Sequence, residues 1–155
     1  MHVHRYERLW IWIGTITMMV FFAVLLVVSF GQGLAAPNHV QTIDPAKISS
    51  TPPFDHPGLR KLSDGTYEAY YVGQVFSWNP QSITVPVGST VHFYVTASDV
   101  VHGFLLPGTD VNLEVMPGWV STATQHFDTP GEYLIVCNQY CGAGHQNMFA
   151  KVEVK

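Results

Sequence analysis

A chain of 155 residues has room for one compact domain and one appendage, and its composition, 47% apolar and only 12% charged, is unusually apolar for a soluble protein of that size. From Gly31 onward there are five Lys/Arg against ten Asp/Glu, a net of −5 with histidine neutral. That balance disfavours a nucleic-acid partner and fits either attraction of a basic protein at low ionic strength or, more commonly for dispersed charges, a plain solvated surface.

The apolar excess is local. Residues 9–30, LWIWIGTITMMVFFAVLLVVSF, carry no charge and no proline. As a helix these residues would span roughly 33 Å, enough to cross the hydrocarbon core of a bilayer. The competing reading is a cleaved signal peptide, with small residues in GLAA at 33–36, but signal cores run to about 7–15 residues and this stretch is longer. A retained single-pass anchor is expected. Arg5 and Arg8 precede the span and the next basic residue is Lys47, so the positive-inside rule places residues 1–8 in the cytoplasm as a short tail and the remainder outside. Trp10 and Trp12 fall near the inner end of the span, where an aromatic belt is expected.

Residues 31–65 hold Pro37, Pro45, Pro52, Pro53 and Pro57 among scattered polar side chains, which reads as an irregular connector. From residue 66 to 155 short β-rich runs alternate with Pro and Gly. In STVHFYVTA, Val91, Phe93 and Val95 alternate with His92, Tyr94 and Thr96, and turn signals stand at Pro86 with Gly88, Pro107-Gly108, Pro117-Gly118 and Pro130-Gly131. Seven or eight such strands and no amphipathic helix predict an antiparallel all-β sandwich.

Both cysteines of the chain lie in one stretch, CNQYCGAGHQNM at 137–148, with the spacing C-x3-C-x3-H-x2-M. Spacing of four could line a helical face, but Gly142, Gly144 and the strand run EYLIV before them argue for a loop folded around something. A Cys137–Cys141 disulfide and a structural Cys2His2 zinc site are open alternatives. Met148 weighs against zinc, because a thioether is a soft ligand suited to copper. Copper sites of the cupredoxin type take one histidine from an early strand and the other ligands from a C-terminal loop, and DVVHGF supplies His102. His92 and His126 read as surface or core polar residues. One cysteine would give a single blue copper; two thiolates can bridge two, with His102 and His145 as terminal ligands and Met148 and a backbone carbonyl binding weakly. Two thiolates reduce a Cu2 core of +3 or +2 to +1 or 0, so a one-electron change moves little charge into a poorly solvated place. This suits electron transfer and not substrate chemistry.

DVVHGF, MPG at 116–118 and CNQYCGAGHQNM, with 35 residues from His102 to Cys137, resemble subunit II of cytochrome c oxidase over roughly residues 66–155 plus the anchor. The resemblance implies an all-β cupredoxin-like Greek-key sandwich with one N-terminal transmembrane helix. It implies a dinuclear CuA centre of two copper ions held by His102, Cys137, Cys141, His145, Met148 and the main-chain carbonyl of Gln139, and no catalytic residue on this chain. Phe76 and Trp78, in GQVFSW, match an aromatic pair at the cytochrome docking face and electron input; two apart on a strand, they would share one face.

Three departures matter. Gln139 stands where many members have a glutamate that helps bind a magnesium, which puts that ion in doubt. Trp119 replaces an arginine after the Pro-Gly pair. A single helix stands where most relatives have two, as in the B-type branch of haem-copper oxidases. The implied partners are a haem-bearing large subunit I, a small single-helix subunit, cytochrome c as donor and membrane lipid. The implied place is a prokaryotic plasma membrane, with the domain on the periplasmic or extracellular side. The implied role is electron delivery to a respiratory terminal oxidase that reduces oxygen to water. A nitric oxide reductase of the same superfamily and a membrane-tethered copper chaperone are the alternatives, the chaperone requiring a thioredoxin-like fold with helices.

Overall fold

The computed structural model describes residues 4–31 and 41–155. The ends of the expected tail and connector, residues 1–3 and 32–40, lie outside the described residues.

Helix α1, Arg5–Gly31, begins four residues before the expected span and carries Arg5, Glu7 and Arg8 in its first turn, so the helix runs past the apolar stretch into the polar flank. None of its side chains is buried in the protein, and the apolar ones point to every side. Such an all-round apolar surface is suited to lipid. Thr15 donates its hydroxyl to the carbonyl of Ile11 at 2.8 Å, which satisfies that hydroxyl within the helix, as a lipid environment requires.

Residues 41–155 form two packed sheets. The first contains β1 (Gln41–Thr42), β2 (Gly58–Lys61), β3 (Tyr67–Gln74), β4 (Ser77–Asn79), β6 (Ser89–Ala97) and β9 (Trp119–Phe127), in the order β1-β9-β6-β3-β2 with β4 beside β3. The second contains β5 (Ser82–Val85), β7 (His102–Leu105), β8 (Asn112–Val115), β10 (Gly131–Val136) and β11 (Phe149–Val154), in the order β5-β11-β10-β7-β8. The sandwich is as expected, with one difference in pairing. β3 and β6 are parallel neighbours, and so are β5 and β11. The chain leaves β3 through β4, crosses to the second sheet as β5 and returns as β6, so the outer strands of that excursion run the same way.

The alternation in β6 gives the core its inner face. Val91, Phe93 and Val95 are fully buried, in one core cluster with Tyr71 of the neighbouring β3 and with Phe104, Leu106, Ile135 and Val152 from the second-sheet side.

Residues 41–65 depart from the irregular connector expected there. β1 pairs with β9 and β2 with β3, and a 3-10 turn, Pro45–Ser50, lies between them. Asp44 caps that turn by accepting from the Ala46 N–H at 3.0 Å, with proline at its first position. Ile43, Ile48 and Phe54 form a second core with Tyr70 and Val120 on the first sheet. Burying each of these side chains contributes about 1.5–3 kcal/mol. That is enough to hold a proline-rich segment whose polar residues hide its few apolar contacts.

Candidate metal centre

Ligand-type side chains converge where β7 begins, β10 ends and β11 starts. Ile135 and Cys137 both face inward at the end of β10, two residues apart, as do Met148 and Ala150 at the start of β11. β10 and β11 pair up to Val136 opposite Phe149, and the Cys137 N–H donates to the Met148 carbonyl at 3.1 Å. Residues 137–148 are therefore a loop closed at its base by the ladder, with a 3-10 turn, His145–Asn147, inside it. β7 lies beside β10 and starts with His102, which is completely buried.

The six residues expected as ligands meet there. Cys137 Sγ lies 3.9 Å from His102 Nδ1, 3.2 Å from the Gln139 carbonyl oxygen and 3.8 Å from Cys141 Sγ. Cys141 Sγ lies 3.6 Å from His145 Nδ1 and 3.8 Å from Met148 Sδ. Each sulfur thus has one imidazole nitrogen and one weak donor as neighbours, and the two sulfurs are adjacent. Donors bound about 2.0–2.3 Å from one tetrahedral ion stand about 3.3–3.8 Å apart, close to the observed separations. Both cysteines are free, so the disulfide alternative is not realised. His102, Cys137 and Cys141 place their donor atoms within 4.8 Å of one another.

Burial and the neighbouring Cys137 push the Cys141 thiol up to about 11, so deprotonating Cys141 at neutral pH calls for a bound cation. Cys137 and Met148 are buried and Cys141 and His145 half-buried, which leaves little water to compete for a metal.

The aromatic pair departs from expectation. The chain reverses at Val75–Phe76, so Phe76 lies in the turn between β3 and β4 while Trp78 lies on β4, and the two do not share a strand face. Phe76 is 37% exposed and Trp78 only 1%. The Phe76 ring rests on the metal loop: a Cβ at Gly142 would stand 2.9 Å from it, and one at Gly144 would overlap it. Gly142 also holds a φ of +132°, a conformation glycine alone adopts readily. Trp78 packs edge-on against His102, ring centres 5.7 Å apart, and against Phe104 at 5.1 Å.

Sequence reading missed Asp99. Its carboxylate accepts from His102 Nε2 at 2.9 Å and from the N–H groups of Val100 and Val75, both at 2.7 Å. Burial pushes this carboxyl up, but the hydrogen bonds from His102, Val75 and Val100 outweigh it and leave it below its ordinary value. Asp99, three residues before His102, was the only signal available.

The thioredoxin-like fold of the chaperone alternative is absent from residues 41–155, which hold strands and 3-10 turns. The model of the family "Cytochrome C oxidase subunit II, periplasmic domain" matches residues 71–155. A cytochrome c oxidase subunit 2 of Thermus thermophilus is 37% identical over 97% of this chain and 92% of its own length. One of Saccharomyces cerevisiae is 35% identical over 46% of this chain and 29% of its own. A chain from a haem-copper terminal oxidase dimer superposes with a TM-score of 0.76 at 27% identity, covering 97% of this chain and all of that one. With a sandwich domain of that family and one N-terminal helix long and apolar enough to anchor it in a membrane, the chain belongs to the cytochrome c oxidase subunit II family, as a subunit of a haem-copper oxidase.

Proposed function

We propose that this chain takes single electrons from cytochrome c and passes them to haem in the large subunit I, where oxygen is reduced to water. The observation that carries this reading is the paired arrangement of donors: two adjacent sulfurs, each with its own imidazole and its own weak ligand. His102, Cys137, Cys141, His145, Met148 and the Gln139 carbonyl would hold two copper ions. When bound, that copper pair supplies reversible one-electron chemistry.

The chain's own residues do the rest. Cys137 and Cys141 contribute two negative charges, which keep the net charge of the pocket small in either redox state. Met148 and its apolar surroundings exclude water, and the loop's closed base fixes the spacing of the donors. Val75, Phe76, Val100, Val101 and Tyr140 are exposed beside the site, a surface for the donor cytochrome, with Trp78 buried behind it against His102. The anchor would run outward from a cytoplasmic N-terminus, following Arg5 and Arg8, with a small single-helix subunit supplying a second helix beside it.

The test is copper content and electron paramagnetic resonance of the full chain in detergent. Two coppers per chain with the unpaired electron split by both nuclei is the expected result. A single copper, zinc, or an oxidised cysteine pair without metal would overturn the assignment.

A further inference from the structure

Asp99 stands in the turn between β6 and β7 with both carboxylate oxygens engaged. Oδ1 takes the Nε2–H of His102 at 2.9 Å and the Val100 N–H at 2.7 Å, and Oδ2 takes the Val75 N–H at 2.7 Å. The first two donors belong to the segment that carries His102. The third lies 24 residues away, on the turn between β3 and β4. Val75 immediately precedes Phe76, whose ring rests on Gly142 and Gly144 of the metal loop. A single carboxylate thus joins the one ligand outside that loop to the aromatic ring that covers it.

We infer that Asp99 is a positioning residue with two tasks: it holds the His102 proton on Nε2, leaving Nδ1 to face Cys137 Sγ, and it anchors the turn that presses Phe76 onto the loop. An acid kept only to attract a basic partner would leave its oxygens to water. Here the side chain is 26% exposed and both oxygens accept from protein donors. Two of the bonds are to backbone N–H groups, which fix the carboxylate and through it the ring plane of a histidine that has no exposed surface. A ligand histidine bonded through its second nitrogen to a carboxylate is held in one tautomer and one orientation, and removing such a partner costs a metal site about 10- to 100-fold in affinity.

The inference rests on His102 being a copper ligand, and its test separates the two ideas. Asp99→Ala and Asp99→Asn are made in the full chain in detergent. In Asp99→Ala, competition with a chelator should give a copper affinity about 10- to 100-fold below the parent's. In the copper-free protein, nitrogen NMR of His102 should change from the Nε2–H form to a mixture. Asp99→Asn keeps an oxygen facing His102 and Val100 but puts a donor where Val75 needs an acceptor. It should therefore retain the tautomer while hydrogen exchange at the Val75 amide accelerates. A parent-like tautomer and copper affinity in Asp99→Ala would overturn the first task. Unchanged Val75 exchange in Asp99→Asn would overturn the second, and this variant decides it even if Asp99→Ala does not fold. If the parent itself takes up no copper pair, the proposed function fails, while the tautomer and amide readouts still decide the placement of Asp99.

Discussion

Gly103→Ala places one methyl group at the tightest contact between β7 and the metal loop. A Cβ there would overlap Asn138 Oδ1 and stand 2.8 Å from the backbone nitrogen of Gln139. Gly103 does not have a positive φ, so alanine meets no conformational penalty, and whatever is lost is lost to space. Two obstacles differ in how they yield. The Asn138 side chain can rotate away, at the loss of its hydrogen bond to Asn112 Oδ1, 3.0 Å long and contributing about 0.5–1.5 kcal/mol. The Gln139 backbone can retreat only by moving the loop that begins at Cys137, and such overpacking costs about 1–3 kcal/mol. Together these give a destabilisation of about 1.5–4.5 kcal/mol, which for a domain of this size lowers Tm by roughly 5–20 °C. The assay is thermal unfolding of the copper-free chain, with the copper spectrum of the loaded chain alongside. Adding Asn138→Ala removes only the first obstacle, so the double variant should recover part of the loss and not all of it. A Gly103→Ala protein that melts with the parent and shows its copper spectrum would refute the reasoning, because the loop would then not lie on β7.

Cys141→Ser should abolish the two-copper signal, since its sulfur touches the other cysteine, His145 and Met148 at once; copper analysis and paramagnetic resonance check it. Met148→Leu should keep two coppers and shift their potential, measured by redox titration, because it removes a weak donor from one half of the site only. Phe76→Ala should slow reduction by cytochrome c in stopped-flow measurements while the copper spectrum keeps its form; an unaltered rate would move electron input elsewhere. Phe54→Ala should destabilise the sandwich by about 3–5 kcal/mol, read by thermal unfolding, because the ring is 4% exposed and packs edge-on against Tyr70 at 5.4 Å.

What could be read ahead of the structure followed periodicity and spacing. Val91, Phe93 and Val95 alternate with polar residues, and all three are buried. Cys137, Cys141, His145 and Met148 come together as their close spacing suggests, because it keeps them in one loop whatever the rest of the chain does. The parallel pairs could not be read, since β3 and β6 become neighbours only through an excursion to the other sheet. Residues 41–65 failed for a different reason: Ile43, Ile48 and Phe54 are too widely spaced to show a period, and only β9, β3 and the Tyr70 face give them something to bury against. Nothing in VFS marks the reversal that separates Phe76 from the strand of Trp78. Asp99 acts on a backbone N–H 24 residues away, and such a bond has no sequence signature.

The division of the donors between two pieces of chain bears on how rigid the pocket is. Five of the six come from twelve consecutive residues whose ends are joined by the bond from Cys137 N–H to the Met148 carbonyl, so most of the site is assembled as soon as β10 pairs with β11. Closing so short a loop costs little chain entropy compared with gathering ligands from distant strands. The sixth donor, on His102, arrives from β7 and would be the loose one, yet it is the most enclosed: fully buried, against Trp78 on one side and bonded to Asp99 on the other. Restraint is therefore heaviest where sequence separation is greatest. Side chains locked in this way by packing and hydrogen bonds hold the donor atoms in one geometry, which is the preorganisation that the proposed copper site would need.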